Sequence, residues 1–473
     1  MIFLVSLYLI KINIMLQRET IFALSTCYGK SGIAIIKISG PNALLVLKDL
    51  NFKKKLLKRV ATLGKIYKKN LELIDEVIAI YFPKNHSYTG EDTVELQTHG
   101  GIAIINSIFD ELNSLDYLRL ATNGEFTRVA LENNKISLNK AESLIDLINS
   151  ESEYQRKVAI RSYNGALEDI YSTWRNDMIE LLSISEAYID FPDDLLDEAE
   201  LAKLNKRIKK LQSEFENNIK FFSSANKLMN GINICIAGAT NVGKSSLMNF
   251  LSKSDTSIIS NIKGTTRDVI KTKIEIAGIP IILHDTAGIR ATSNKIENMG
   301  IEKGKNVMKN SDIIIFMFDA NNLLNLNILI ESKKWLDTTV KILVYINKID
   351  LLSDYRLLKA KLIKQLEKIN LKYETLLFLS LKSNKYDDAI LQSIEEILNN
   401  FMPSSDANLI TNIRHQNKLK NCNNYLNNAL NTDILELKTE ELRACAKELG
   451  LLLGDINTEE VLDKIFSSFC IGK

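Results

Sequence analysis

Gly238-Ala239-Thr240-Asn241-Val242-Gly243-Lys244-Ser245-Ser246 fits the phosphate-cradle pattern G-x-x-x-x-G-K-[ST]. The run Ile232 to Ala237 before it alternates apolar residues and reads as a buried strand. Ser246-Leu247-Met248-Asn249-Phe250-Leu251 after it reads as the opening of a helix. Strand, glycine loop and helix in that order turn a string match into a mechanism. The glycines let backbone N–H groups curl around phosphates, Lys244 supplies a point charge, and the Ser245 hydroxyl can ligate Mg²⁺. A glycine-rich turn holding Lys-Ser by coincidence is the bland reading, and the chain downstream speaks against it.

From about Gly231 to Phe401 strand-like and helical runs alternate, which predicts a parallel sheet. Four further elements follow in the order of a guanine-nucleotide switch domain. Gly264-Thr265-Thr266-Arg267-Asp268 lies between the first helix and the strand Lys271 to Ile276, with Thr266 placed to reach Mg²⁺. Asp285-Thr286-Ala287-Gly288 follows the strand Ile279 to His284, so Asp285 can hold Mg²⁺ through water and the Gly288 N–H can meet a γ-phosphate. Asn347-Lys348-Ile349-Asp350 follows the strand Val340 to Ile346, and the Asp350 carboxylate would select guanine over adenine. Ser380-Leu381-Lys382 stands where a base-contacting turn belongs. A lone N-K-x-D is weak, but five ordered signals predict a GTP hydrolase.

The residue after Gly288 is Ile289, where Ras-like switches place a water-orienting Gln. Another group must orient water: Arg290, Glu297 and Glu302 are the candidates, each equally readable as a solvated surface residue. Asn241 could ligate a monovalent cation that stands in for an arginine finger.

Outward from this segment the text changes. Residues 1–14 are strongly apolar but too short for a membrane span, and they lack the flanks of a signal peptide. We read them as an upstream extension without a part in the fold, with Met15 a second start, and an interfacial anchor is the alternative. From Thr20 the pattern is mixed α/β: strands at Gly32–Gly40, Ala61–Tyr67, Ile74–Phe82 and around Val94, and helices at Pro41–Leu50 and Ile102–Leu115. Taken alone, Gly90-Glu91-Asp92 and His99-Gly100-Gly101 read as turns. From Arg128 to Ser224 and again after Ser404 the periodicity is helical; Leu204, Ile208, Leu211, Phe215 and Ile219 make one such stripe. Five scattered cysteines without a C-x-x-C pair argue against a disulfide framework or zinc site and for a reducing compartment. The net charge of +2 does not announce a nucleic-acid binder, although a local basic face remains open.

Ser87-Tyr88-Thr89-Gly90-Glu91-Asp92, His99-Gly100-Gly101, Asp285-Thr286-Ala287-Gly288-Ile289-Arg290 and the terminal Cys470-Ile471-Gly472-Lys473 together resemble the tRNA-modification GTPase MnmE (TrmE) family, from about Thr20 to the end. The resemblance implies a multidomain fold. An α+β folate-binding and dimerisation domain would span 15–127, and a discontinuous α-helical domain 128–228 and 403–473. A Ras-like α/β P-loop G domain would be inserted at 229–402. It implies a cytoplasmic bacterial homodimer that pairs with the FAD-dependent MnmG (GidA) as a heterotetramer. Together they would install a (carboxymethyl)aminomethyl group at C5 of the wobble uridine, position 34, of certain tRNAs. A tetrahydrofolate derivative, 5-formyl- or methylene-substituted, would bring the one-carbon unit.

Carried over position by position, GTP or GDP would contact Asn241, Val242, Gly243, Lys244, Ser245 and Ser246, then Ser260, Asn261, Ile262, Lys263, Gly264, Thr265 and Thr266. The remaining nucleotide contacts would be Asp285, Thr286, Ala287, Gly288, Asn347, Lys348, Asp350, Ser380, Leu381 and Lys382. Ser245 and Thr266 match Mg²⁺ ligands, and Asn241, Ser260, Ile262 and Thr265 match a K⁺ cage. Glu297 matches the catalytic glutamate, beside Lys244. Lys37, Glu95, Lys135 and Lys473 match folate contacts, and Cys470 a tail cysteine whose role as nucleophile or structural residue stays open. Three positions depart: Lys37 stands for an arginine and loses bidentate geometry, Thr240 for a proline, and Leu381 for an alanine. A GTP-dependent ribosome-assembly factor binding rRNA is the competing reading, and it predicts an RNA-binding domain after the G domain that the sequence does not display.

Overall fold

The computed structural model describes residues 19–190, 198–253, 271–285, 304–322, 326–352, 354, 356–402, 410–454, 469, 470 and 472. Contacts divide the chain into two compact units, one reaching to Ile145 and resuming at Leu453, the other running from Asp146 to Leu452.

The first unit is built on a six-stranded sheet: β1 (Thr20–Leu24), β2 (Ser31–Ser39), β3 (Thr62–Tyr67), β4 (Leu73–Phe82), β5 (Thr93–Gly100) and β6 (Leu118–Leu120), in the order β3-β4-β5-β2-β1-β6. Period-2 alternation sends Phe22, Ile36, Ile38, Val77, Val94 and Leu96 to one face. That face packs against α1 (Leu45–Asp49) and α2 (Ile102–Asn113), which contribute Val46, Leu47, Ile108 and Leu112 to the same core. The opposite face is dressed differently. A row across four strands, Leu63-Ile78-Gln97-Ile35, is apolar but for Gln97, and the next row reads Ile80-Glu95-Lys37-Ala23. Leu63 is 51% exposed and Ile33, further along β2, is 61% exposed. Two short helices follow the sheet, α3 (Glu125–Glu132) and α4 (Leu138–Ile148). Phe469 from the chain's end is buried against Ala141 of α4.

The helix expected over Pro41–Leu50 is only the five residues of α1. Residues 41–44 form turns instead, closed by Ala43 N–H to the Gly40 carbonyl at 3.2 Å and Leu45 N–H to the Asn42 carbonyl at 2.9 Å.

The second unit holds helices and a second sheet. The helices are α5 (Glu153–Tyr163), α6 (Ala166–Asp190) and α7 (Glu198–Asn230), then α12 (Ile413–Leu430) and α13 (Leu435–Leu453) late in the chain. Of the α7 stripe foreseen from spacing, Leu204, Ile208, Leu211 and Phe215 are buried, while Ile219 is only half-buried. Trp174 of α6 stacks edge-on against Phe215 and donates its indole N–H to Glu214 at 2.9 Å. Tyr171 meets His415 of α12 at 2.9 Å.

The sheet comprises β7 (Ile232–Gly238), β8 (Lys271–Ile276), β9 (Ile279–Asp285), β10 (Ile313–Asp319), β11 (Lys341–Asn347) and β12 (Thr375–Phe378), ordered β12-β11-β10-β7-β9-β8. Helix α8 (Lys244–Lys253) and α11 (Asp387–Asn399) pack on one face, α9 (Asn327–Lys333) and α10 (Arg356–Ile369) on the other. The continuous apolar run Ile313–Phe318 is buried on both sides, as a central parallel strand requires. The sheet is not wholly parallel: β8 pairs antiparallel with β9. The link is the two-residue turn Ala277-Gly278, both at positive φ, a geometry that closes a hairpin and is too short for a crossover.

Among the described residues no helix is long and apolar enough to cross a membrane.

Candidate nucleotide site and the amino-terminal cluster

The phosphate loop leaves the carboxyl end of β7 and enters α8, where unsatisfied first-turn N–H groups favour an anion. Two of its glycines have steric reasons. A Cβ on Gly238 would lie 2.3 Å from the Met317 carbonyl oxygen, and one on Gly243 (φ 109°) would lie 2.3 Å from Asn347 Nδ2. Asn241 holds a left-handed φ of 63°, tolerable because a short polar side chain can satisfy local backbone. The Lys244 ammonium reaches back across the loop, donating to the carbonyls of Gly238 at 2.8 Å and Ala239 at 2.6 Å.

A cavity of about 830 Å³ opens at this end of the sheet. The loop lines one side of it, including Asn241, Lys244 and Ser245; Asn347, Lys348, Asp350 and Ser380 to Lys382 line the other. Asn347 joins the two. Only 4% exposed, it donates Nδ2 to the Val242 carbonyl at 2.8 Å and accepts at Oδ1 from the Leu381 N–H at 3.1 Å. Its amide thereby fixes the base turn against the phosphate loop. The exposed Asp350 sits in a short 3₁₀ turn beyond it. The Ser380 hydroxyl is buried and, among the described residues, has no hydrogen-bond partner, which suits a group kept for a ligand. Leu381 in place of alanine leaves its backbone N–H engaged with Asn347.

Sequence reasoning passed over Asp319. It ends β10 and pairs with the Lys348 ammonium at 2.7 Å. Burial pushes its carboxyl up, but the Lys348 ammonium and the Asn321 N–H prevail and hold it below the usual range. This pins Lys348, itself at φ 67°, along the cavity wall. The available signal was an acid closing an apolar strand at the sheet's carboxyl edge, where ligands bind in open α/β sheets.

Ser260, Asn261, Ile262, Lys263, Gly264, Thr265, Thr266, Thr286, Ala287, Gly288, Ile289, Arg290, Glu297, Glu302 and Lys473 lie outside the described residues. Asp285 closes β9 next to β7, with its backbone alone described.

In the first unit, Lys37 and Glu95 are cross-strand neighbours with Nζ and Oε1 4.0 Å apart. The Lys37 ammonium also lies 5.5 Å from the ring centres of both Tyr88 and Phe126. A half-buried cation between two aromatic rings, with a carboxylate beside it, suits a flat, polar heteroaromatic ligand. Neither ring was singled out from sequence; only the motif around Tyr88 was. Lys135 belongs to the same neighbourhood through the loop 85–90: it donates to the Asn85 carbonyl at 3.1 Å, and a Cβ on Gly90 (φ 79°) would come within 3.1 Å of its Cε. Asn133 fastens that loop by donating to the Thr89 carbonyl at 2.7 Å. The chain's tail docks nearby. The Gly472 carbonyl accepts from Ser25 Oγ at 2.9 Å, and a Cβ there would meet the Leu24 oxygen at 2.1 Å. Cys470 is exposed, and its carbonyl accepts from the Gly124 N–H at 3.5 Å.

Residues 138–470 match the family model for the MnmE helical domain, and residues 20–135 that for the GTP-binding protein TrmE N-terminus. The tRNA modification GTPase MnmE of Rickettsia typhi is 42% identical over 458 residues, covering 96% of this chain and 100% of the relative. The chain belongs to the MnmE family of tRNA modification GTPases. The MnmE of a Wolbachia from Brugia malayi is 39% identical over 457 residues, covering 96% of this chain and 99% of its own. Among solved structures, the FeoB G domain of Methanococcus jannaschii is similar at 20% identity, over 36% of this chain and 98% of that one, with a TM-score of 0.25. Membership in the MnmE family carries the GTPase assignment of the central segment and separates the chain from the rRNA-binding assembly factor weighed against it.

Proposed function

We propose that this chain hydrolyses GTP under K⁺ activation and, as a homodimer with an FAD-dependent MnmG partner in the bacterial cytoplasm, modifies C5 of the wobble uridine of certain tRNAs. The observation that carries the nucleotide half is the cavity in which Asn347 ties the phosphate loop to the base turn. Lys244 and the first turn of α8 bind the phosphates, and Asp350 with the Ser380–Lys382 turn reads guanine. Ser245, facing that cavity, with Thr266 holds Mg²⁺, which neutralises phosphate charge. Asn241, at the cavity wall, with Ser260, Ile262 and Thr265 holds K⁺, which supplies the positive charge of an arginine finger. Glu297 orients the attacking water.

The amino-terminal half of the proposal rests on the Lys37 cluster. Tyr88 and the buried Phe126 ring hold the Lys37 ammonium beside Glu95, and the two charged groups would pair with polar edges of a tetrahydrofolate derivative. Lys135 and Lys473 would meet its carboxylates. The half-exposed row Leu63-Ile78-Gln97-Ile35 supplies an apolar surface for the second copy.

Two measurements test the reading. GTP turnover is compared in KCl and NaCl, and wobble uridines from cells lacking the gene are analysed by mass spectrometry. Faster turnover in potassium and loss of the modified base are expected; unchanged wobble uridines would remove tRNA modification from the proposal.

A further inference from the structure

Between α1 and β3 runs Asn51-Phe52-Lys53-Lys54-Lys55-Leu56-Leu57-Lys58-Arg59-Val60-Ala61, with five cations and no acid. The whole chain balances 60 Lys and Arg against 58 Asp and Glu, so this stretch is a local departure and not a reflection of global charge. Lys53, Lys54, Lys55, Lys58 and Arg59 are all exposed, and among the described residues none has a carboxylate in ion-pair reach. The nearest acid before them, Asp49, is taken by the Tyr117 hydroxyl. Lys68 on the same unit, by contrast, is paired with Glu72 at 3.0 Å.

The cations are carried on a fixed frame. Phe52 is buried against the face of Gly64, and the Phe52 N–H donates to the Leu47 carbonyl at 2.8 Å. Leu56 packs on the core beneath. Lys58 bridges to Tyr81 of β4, and the Arg59 N–H donates to the Tyr81 carbonyl at 2.7 Å. Arg59 is held at φ 59°, a conformation unfavourable for a non-glycine residue and kept only where the surroundings impose it. Lys65 on the neighbouring edge strand β3 extends the basic surface.

We propose that the Lys53–Arg59 loop is a docking surface for the phosphate backbone of a folded RNA. It rests on the reading above that this chain works on tRNA, and it names where the first unit would hold that tRNA. Five clustered cations on an anchored loop match a ladder of phosphates and lose little conformational entropy on binding. An anionic membrane fits less well. The segment is not helical, presents no amphipathic face, and exposes just Leu57 and Val60 as large apolar groups.

The test uses the full chain and an unmodified tRNA transcript, with affinity measured by anisotropy across a KCl series. One variant carries Lys53→Gln, Lys54→Gln, Lys55→Gln, Lys58→Gln and Arg59→Gln. A charge-matched control carries Arg356→Gln, Lys359→Gln, Lys361→Gln, Lys364→Gln and Lys368→Gln on exposed positions of α10. The loop variant should bind at least about tenfold more weakly near 0.1 M salt. Its plot of log affinity against log salt should be shallower by about three to four, while the control stays close to the parent. GTP turnover reports on the integrity of each preparation and should be unchanged in the loop variant. Equal losses in both variants, or a parent chain without tRNA affinity, would overturn the proposal. So would a loop variant that keeps tRNA binding but loses binding to phosphatidylglycerol vesicles. Wobble-uridine modification in cells decides the broader reading independently, so the two can fail separately.

Discussion

Asn347 shows how much one side chain can settle. Its amide meets the phosphate loop on one side and the base turn on the other, and Gly243 has no Cβ because that amide occupies the space. Gly243→Ala therefore carries two penalties, a positive φ and a clash with a buried group. We expect GTP affinity to fall about 100-fold or more, measured by calorimetry, with the first unit's helicity and folate binding intact; affinity within threefold of the parent would show that the bridge is dispensable. Asn241→Ala addresses the cation instead. It should leave GTP affinity within a few fold and erase the difference in turnover between KCl and NaCl. A persisting potassium preference would take Asn241 out of the cage. At the other site, Lys37→Arg restores a planar fork between Tyr88 and Phe126 and should tighten 5-formyl-tetrahydrofolate several-fold, whereas Lys37→Met should weaken it about tenfold, read by fluorescence titration. Weakening by arginine as well would mean the slot is cut for lysine. These residues were legible because phosphate and base recognition constrain backbone, and backbone constraint leaves glycines and short motifs in sequence. Asp319, Tyr88 and Phe126 were not, because each acts through a neighbour that only folding supplies.

Elements were read well where burial is one-sided or complete. Strands β2 to β5, β7 to β9 and β11 and most of the α7 stripe follow from apolar patterning that burial enforces, whereas β1, β6, β10 and β12 were not foreseen. The expected helix over Pro41–Leu50 shrank because amphipathic spacing says nothing of the turn hydrogen bonds that compete at its start, such as Ala43 N–H to the Gly40 carbonyl at 3.2 Å. Strand direction was beyond periodicity too: β8 runs antiparallel because Ala277-Gly278 closes a hairpin. One helix contact was invisible in sequence. Lys438 of α13 is 1% exposed; its ammonium donates to Asn205 Oδ1 at 2.9 Å and to the Ala429 carbonyl in the last turn of α12. The cation thus caps a helix carboxyl end, where the dipole favours it. Lys438→Ala leaves a cavity and an unpaired carbonyl and should cost about 2–4 kcal/mol. Burial also lowers the folded amine below its ordinary value of 10.5, against the pull of Asp433. Between the folded and unfolded values the unfolded chain binds more protons, so the Lys438 contribution to stability rises as pH climbs through that window. The gap in thermal midpoint between parent and variant should widen toward alkaline pH, and a constant gap would place the lysine outside that linkage.

At the scale of the molecule, the family's domain plan is carried by surfaces as much as by motifs. The first unit covers one face of its sheet with helices and leaves the other with Leu63, Ile78 and Ile35 in register beside the Lys37–Glu95 row. Such a face is costly in isolation, since each large aliphatic side chain left in water forgoes about 1.5–3 kcal/mol of burial. A second copy seated on it would recover that energy and would bring its edge close to the row proposed to contact folate. The two properties should therefore fail together. Leu63→Glu with Ile33→Glu places four like charges on a self-facing surface, two from each copy. Sedimentation of the parent at micromolar concentration should give a dimer and the variant a monomer. Folate affinity should drop several-fold in the same variant, because Lys37 and Glu95 lose the neighbouring surface, whereas GTP affinity, fixed within the other unit by Asn347, should not change. A variant that stays dimeric would move the contact to another face, and one that becomes monomeric with full folate affinity would show that each copy completes the slot with its own Tyr88 and Phe126.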